Sequence, residues 1–242
     1  MKKKILALIG IRSGSKGLKN KNIKKLGDRH LVGWIINSAK KSKYINRIIV
    51  STDSKNYAKI SKKYGAEVPF LRPKELAKDN SNEIEFIKFT IKKLEKLENY
   101  KPDIIVRLLA TCPFQRPTDI DKTISKVLQK NVNSAVLISE AKQHPRKALK
   151  IIGKKNKKLV NFYTGKGIDV GRKSNRQIFD KAYFRSNIIV TKKAVIDKFN
   201  SLTDNNVKFV ELKSKFFVDI DSSEDFNFAK YLYNKKKMYN DN

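Results

Sequence analysis

Thiols and imidazoles are nearly missing from this chain: its 242 residues hold one cysteine, Cys112, and two histidines, His30 and His144. A lone cysteine excludes an internal disulfide and a cysteine-based zinc site, and it suits a reducing compartment. Neither histidine has the ligand partners that a zinc site needs. No apolar run approaches the ~20 residues of a membrane span. The run after Met1-Lys2-Lys3-Lys4 is too short for a signal peptide, so the expected location is the cytoplasm with no membrane insertion. Acidic residues are also scarce, 23 against 55 Lys and Arg, which leaves a formal net charge of +32.

Such an excess attracts polyanions, because neutralising phosphates releases counterions. The lysines are nevertheless spread along the whole chain, as in Lys40-Lys41-Ser42-Lys43, and often sit beside Asn and Ile. No zinc finger, RNP-like aromatic pattern or helix-turn-helix accompanies them. Nonspecific sticking at low salt is expected, and specific nucleic-acid binding is not. Hydrophobic content of 40% and aromatic content of 10% fit a globular protein, and the length fits one α/β domain with an elaboration.

What the chain does have begins at Ile5-Leu6-Ala7-Leu8-Ile9. An apolar run without alternation reads as a strand buried on both faces, as in a parallel sheet. It opens into Gly10-Ile11-Arg12-Ser13-Gly14-Ser15-Lys16-Gly17, followed by Lys21-Asn22. Glycines let backbone approach a ligand, successive N–H groups can cup an anion, and Arg12, Lys16 and Lys21 add charge-assisted donors. The spacing matches neither the Walker nor the dinucleotide pattern. The loop reads as a phosphate binder, against the alternative of a solvated basic loop.

Further along, Leu31 to Ala39 has helical spacing, Arg47 to Asp53 reads as a second strand, and Ser54 to Tyr64 as a helix stopped by Gly65. Thr52 and Asp53 fall at the carboxyl end of a strand, where α/β sheets gather ligands, and Asp53 alternatively caps the helix. Prolines bracket Val68 to Arg72, so this is loop. Ser81 precedes a helix from about Ile84 to Leu97 and could cap it. Asp103 to Leu109 and Ser134 to Ser139 read as buried strands, with Asp119 able to start the helix between them. From about 140 to 183, glycines and His144-Pro145 break regular structure, which marks an insertion within a single domain spanning 1–242. Ile188 to Val190 is a core strand before a helix near Lys192 to Phe199.

In Phe216-Phe217-Val218-Asp219-Ile220-Asp221, an extended backbone puts Asp219 and Asp221 on one face. Two like charges there invite Mg²⁺. The alternative is a helix start, with Asp221 as N-cap and Glu224 closing a capping box. The tail from Lys230 is expected to fray.

Several of these stretches together resemble the acylneuraminate cytidylyltransferases: Arg12-Ser13-Gly14-Ser15-Lys16-Gly17, Lys21-Asn22, Ser51-Thr52-Asp53, Val68-Pro69-Phe70 with Arg72, Thr111 and Pro113, Tyr183 with Arg185 and Asn187, and Asp219-Ile220-Asp221. They occur in the family's order over nearly the whole chain. Departures are Gly10-Ile11 for Pro-Ala, Ile188 for a glycine, and Leu109 for a glutamine that holds the sugar acid. The resemblance implies a Rossmann-like three-layer α/β/α nucleotidyltransferase fold with a mostly parallel sheet, and a homodimer formed through the insertion. It implies transfer from CTP to a sialic-acid-like nonulosonic acid with release of diphosphate. Arg12, Ser13, Ser15, Lys16, Lys21, Asn22, Arg72 and Ser81 would then meet the nucleotide, and Thr111, Arg176 and Asn187 the sugar. Asp219 and Asp221 would hold Mg²⁺, and they with Arg12 and Lys21 would carry the chemistry. Legionaminic or pseudaminic acid is the alternative acceptor, which Leu109 favours. A silent, basic nucleotide- or nucleic-acid-binding protein is the alternative from another class.

Overall fold

A computed structural model describes residues 3–15, 17–141, 143–164, 166, 179–213 and 217–240. The expected first strand is β1 (Ile5–Gly10), and a hairpin of β2 (Lys25–Leu26) and β3 (Arg29–His30) follows it. Then come α1 (Leu31–Lys40), β4 (Arg47–Ser51), α2 (Lys55–Lys63), α3 (Glu83–Glu98), β5 (Ile104–Leu108) and α4 (Pro117–Leu128). The chain continues through β6 (Ser134–Glu140), β7 (Leu149–Ile152), β8 (Lys158–Asn161), β9 (Tyr183–Lys192), α5 (Lys193–Phe199), β10 (Lys208–Glu211) and α6 (Ser223–Asn240).

Six strands form one sheet in the order β10-β6-β9-β5-β1-β4. Strands β4 and β5 lie parallel to β1 on its two sides, and β9 runs antiparallel to β5. Unalternating apolar sequence produced this, because both sheet faces are covered. Ile5, Ala7 and Ile9 join a core with Val32 and Ile36 of α1 and Ile120 and Ile124 of α4. Leu6 and Leu8, on the opposite face, are also fully buried, as are Ile87 and Leu94 of α3. Chain order makes β1 the point where the winding reverses, the usual position of a ligand crevice at the strands' carboxyl ends.

A smaller core packs Leu26 and Leu31 against Val218, Ile220, Phe226 and Leu232. It holds α6 through Leu232, and the helix runs on to Asn240. It also pins the segment before α6: Val218 and Ile220 are buried while Asp219 and Asp221 face solvent. Among the described residues this segment is extended but belongs to no strand; the Ile220 N–H donates to the Thr111 carbonyl at 3.0 Å.

The chain divides into two compact units, 1–137 with 187–242, and Ile138–Ser186. In the second, β7 and β8 pair as a hairpin through Gly153, which has φ +86°. Its large side chains are poorly covered: Ile151 is 66% exposed and Tyr163 64%. His144 is spent locally, stacking on Phe179 with its Nδ1 accepting from the Arg146 N–H at 3.2 Å. Among the described residues no helix is long and apolar enough to cross a membrane.

Candidate functional site

A cleft of about 390 Å³ opens at the carboxyl ends of β1 and β5. The loop after β1 contributes Arg12, Ser15, Lys21 and Asn22 to its lining, and the loop after β5 contributes Thr111. Arg72 and Ser81 come from the connection between α2 and α3, and Asp221 from the extended segment before α6. These residues, distant in sequence, converge because each follows or leads an element whose end meets the same sheet edge.

The loop after β1 is shaped by its neighbours. The Ser13 N–H and Oγ donate to the two Asp53 carboxylate oxygens at 3.0 and 2.6 Å. The α2 N-cap is therefore not Asp53 but Ser54, whose Oγ accepts from the Tyr57 N–H at 3.3 Å. Buried Asn22 donates through Nδ2 to the Arg12 carbonyl at 3.3 Å. Asn20 turns the loop through the left-handed region, φ 55°, which asparagine tolerates. Gly17 lies against the opposite wall: a Cβ there would fall 2.6 Å from the Asp221 carbonyl oxygen.

Two cations of this loop hold carboxylates across the cleft. Arg12 pairs with Asp79 at 2.5 Å, and Lys21 Nζ donates to Asp221 at 2.7 Å. Asp221 is free for this because it does not cap α6. That role falls to Ser222, whose Oγ accepts from the Asp225 N–H, while the Asp225 carboxylate accepts from the Ser222 and Asp221 N–H groups. The capping box is thus Ser222 with Asp225, one residue on from the expected Asp221 and Glu224. Burial pushes the Asp225 carboxyl up, but the N–H bonds, the Ser222 hydroxyl and the Lys21 charge together hold it below its usual range.

Arg72 is not a solvated loop arginine. Its side chain is buried, stacks on Phe86 at 4.1 Å and donates through Nε to Ser51 Oγ at 3.1 Å. Burial lowers its pKa to about 10, with Asp53 and Glu83 opposing that shift and Arg12 adding to it. Gly10 makes the stack possible, since a Cβ there would sit 2.4 Å from Phe86 Cζ. Ser81 does not cap α3 either: Asn82 does, accepting from the Ile84 N–H, and Ser81 Oγ donates to the Glu75 carbonyl at 2.8 Å. Likewise α4 starts at Pro117, two residues before Asp119, whose carboxylate accepts from the Arg116 guanidinium.

The remaining candidates lie apart from the cleft lining or outside the description. Ser13 is turned to Asp53. Asn187 is buried in β9, its carbonyl accepting from Arg107 at 3.0 Å. Lys16 and Arg176 lie outside the described residues. Asp219 stands by the buried Cys112; burial pushes that thiol well up, and the Asp219 charge and hydrogen bond add to the rise. A neutral, buried thiol is no nucleophile.

Residues that sequence reasoning passed over also line the cleft: Lys78, Asp79, Glu83 and Phe86. Behind Glu83 lies Arg107, a buried arginine in the middle of β5. A charge interrupting an apolar strand was the available signal for it.

The exposed carboxylates of Asp219 and Asp221, on one side of an extended segment, fit a divalent cation in donor type. Mg²⁺ takes one or two carboxylates and completes its shell with water and phosphate oxygens. Among the described residues no group of three His, Cys, Asp or Glu side chains gathers, so the protein alone would supply only part of such a shell.

Comparison with known proteins bears on the family and the fold. The model of a family described as cytidylyltransferase matches residues 6–238. Post-translational flagellin modification protein B of Campylobacter coli is 29% identical over 235 residues, 97% of each chain. CMP-N,N'-diacetyllegionaminic acid synthase of Campylobacter jejuni is 28% identical over 237 residues, again 97% of each. N-acylneuraminate cytidylyltransferase of Escherichia coli is 40% identical over 124 residues, 51% of this chain and 28% of that protein. Among solved structures, CMP:2-keto-3-deoxy-manno-octonic acid synthetase complexed with CTP superposes with a TM-score of 0.69 at 13% identity, covering 96% of this chain and 99% of that one. At that identity the likeness speaks for the fold alone.

Proposed function

The chain belongs to the cytidylyltransferase family, and from that premise we propose that it transfers a cytidylyl group from CTP to a nonulosonic acid. The anomeric hydroxyl oxygen of the sugar acid attacks the α-phosphorus, the bond to the bridging oxygen breaks, and diphosphate leaves as the hydroxyl gives up its proton. The observation that supports this most is the joining of Arg12, Lys21, Arg72 and Asp221 in one cleft at the winding reversal of the sheet.

Such transfer depends mainly on positioning and on stabilising charge. Arg12 and Lys21 would exchange Asp79 and Asp221 for phosphate oxygens, so their charge is held ready near where the triphosphate binds. Asn22 and Asp53 fix the loop that presents them. Arg72 and Ser81 would face the nucleoside, and Thr111 the acceptor side. Release of Asp221 from Lys21 would leave it, with Asp219, to hold Mg²⁺. Bound there, the cation would offset phosphate charge and acidify the attacking hydroxyl.

The acceptor is narrowed by Leu109, which cannot supply the amide that the family's glutamine offers. The C. jejuni relative, matched over 97% of its length, is named for legionaminic acid. Legionaminic acid therefore heads the acceptor panel, with pseudaminic and N-acetylneuraminic acid next. A second copy of the chain would cover the exposed hairpin residues Ile151, Phe162 and Tyr163, giving the homodimer. The cytoplasm suits an enzyme with these substrates.

Diphosphate release with CTP and Mg²⁺ across sialic, legionaminic, pseudaminic and octulosonic acids tests the reaction. Release with one acid establishes it and names the acceptor. Failure of the folded protein to bind CTP would remove the proposal, and retention of binding without release across the panel would favour a binding role.

A further inference from the structure

Strand β5 is buried throughout: Ile104, Ile105, Val106 and Leu108 are at most 2% exposed, and Arg107 is buried with them at 4%. A guanidinium in such a place keeps its charge and must be satisfied by partners. Arg107 Nη1 donates to the Asn187 carbonyl at 3.0 Å, while Nε lies 3.1 Å from Glu83 Oε1 as an ion-pair contact outside hydrogen-bond geometry. Glu83 is the first residue of α3, and its side chain, 35% exposed, stands on the cleft lining with Arg72 and Ser81.

Helix α3 does not need this pair. Asn82 caps it, and Glu85 already places a second acid in its first turn. Nor is a buried ion pair an efficient source of stability, since apolar replacements are often neutral or better. What the pair does accomplish is to hold one carboxylate in a fixed place on the cleft wall, whereas the cleft's other carboxylates, Asp79 and Asp221, sit on Arg12 and Lys21, the cations that a phosphate would take from them.

An ionised carboxylate only accepts hydrogen bonds. It repels phosphate oxygens and rewards an N–H or O–H, so it gives the cleft a direction: phosphates toward Arg12 and Lys21, nucleoside toward Glu83. We propose that Glu83, held by Arg107, is a specificity-determining residue that accepts a hydrogen bond from a donor on the nucleoside. This rests on the cytidylyl-transfer reading and deepens it. The donor is the exocyclic amine of the base or a ribose hydroxyl. Uracil presents a carbonyl oxygen where cytosine has the amine, so a carboxylate there would reject UTP; a carboxylate at the ribose would reject 2′-deoxy-CTP.

Calorimetric titration of CTP, UTP and 2′-deoxy-CTP into wild type, Glu83→Gln and Arg107→Met separates these. Wild type should prefer CTP over one analogue by about tenfold or more, the scale of one hydrogen bond to a charged group. The analogue rejected identifies the donor. Glu83→Gln should reduce that ratio to within about threefold, and Arg107→Met should follow it while leaving the analogue that wild type accepts unaffected. Should Arg107→Met fail to fold, Glu83→Gln alone decides. Wild-type selectivity preserved in Glu83→Gln, or absent from wild type, overturns the proposal. Wild type that binds none of the three nucleotides would instead overturn the cytidylyl-transfer reading on which it stands.

Discussion

Replacing Asp53 separates two roles that one carboxylate could play. Its oxygens accept from the Ser13 N–H at 3.0 Å and the Ser13 hydroxyl at 2.6 Å, which ties the loop after β1 to the end of β4. Hydrogen bonds to charged groups contribute about 1.5–3 kcal/mol each, and partial exposure puts these at the lower end. Removing both in Asp53→Ala should cost the bound loop conformation about 3 kcal/mol, or on the order of 100-fold in kcat/KM for CTP. The helix should not notice, because Ser54 caps it. Ser54→Ala should cost about 1 kcal/mol, a fall of about 2–4 °C in Tm for a chain of this size, with kcat/KM nearly unchanged. The charge of Asp53 also faces Arg72; Asp53→Asn, which keeps one acceptor oxygen but no charge, should fall between wild type and Asp53→Ala. Steady-state diphosphate release and thermal melts on the three variants provide the assay. If Asp53→Ala melted about 2–4 °C low while kcat/KM for CTP stayed within about twofold of wild type, Asp53 would be a cap and the loop argument would fail.

Gly17→Ala should reduce kcat/KM by about tenfold or more with only a small change in Tm, because its Cβ would meet the Asp221 carbonyl oxygen and force the loop off that wall; wild-type kinetics would contradict the close approach. Asp79→Asn removes the carboxylate that competes with phosphate for Arg12, so the KM for CTP should fall about two- to fivefold at low salt and by less at high salt. A rise in KM would mean that Asp79 itself serves the ligand. Chelating Mg²⁺ should abolish diphosphate release, and Asp221→Asn should raise the Mg²⁺ concentration required; an unchanged Mg²⁺ requirement would refute the metal assignment. Asn82→Ala and Ser222→Ala should each lower stability by about 1 kcal/mol, as lost caps do, and leave CTP kinetics intact.

Five of the sheet's six strands were legible because they carry unalternating apolar runs; the edge strand β10, short and largely exposed, was not. The hairpin of β2 and β3 was not: two residues per strand are too short to show a period, and its turn is marked only by Gly27, at φ +63°. The phosphate-loop candidates were legible from their charge and from glycine. Arg72 was visible as a residue, but its burial against Phe86, whose ring packs on Gly10, arises only when β1 and α3 meet. Arg107 and Glu83 belong to different elements, and nothing local links them.

The most instructive misreadings share one form. Asp53, Ser81 and Asp221 were each read as possible helix caps, and in each case the next residue, Ser54, Asn82 or Ser222, makes the cap. The offset has a geometric cause. Ser54 and Asn82 have extended backbones, with φ of −111° and −71°, and turn their side chains back onto the first helical N–H groups. Successive side chains of an extended chain point to opposite sides. The residue before a cap therefore points away from the helix, and at the carboxyl edge of a parallel sheet that direction leads to the ligand crevice. A pair of cap-competent residues at such an edge should accordingly be read as a division of labour. The first faces the crevice or the loop that lines it, as Ser81 and Asp221 do in lining the cleft and Asp53 does in holding Ser13. The second satisfies the helix. Composition cannot separate the two, since Asp, Ser and Asn suit both tasks; order along the chain can.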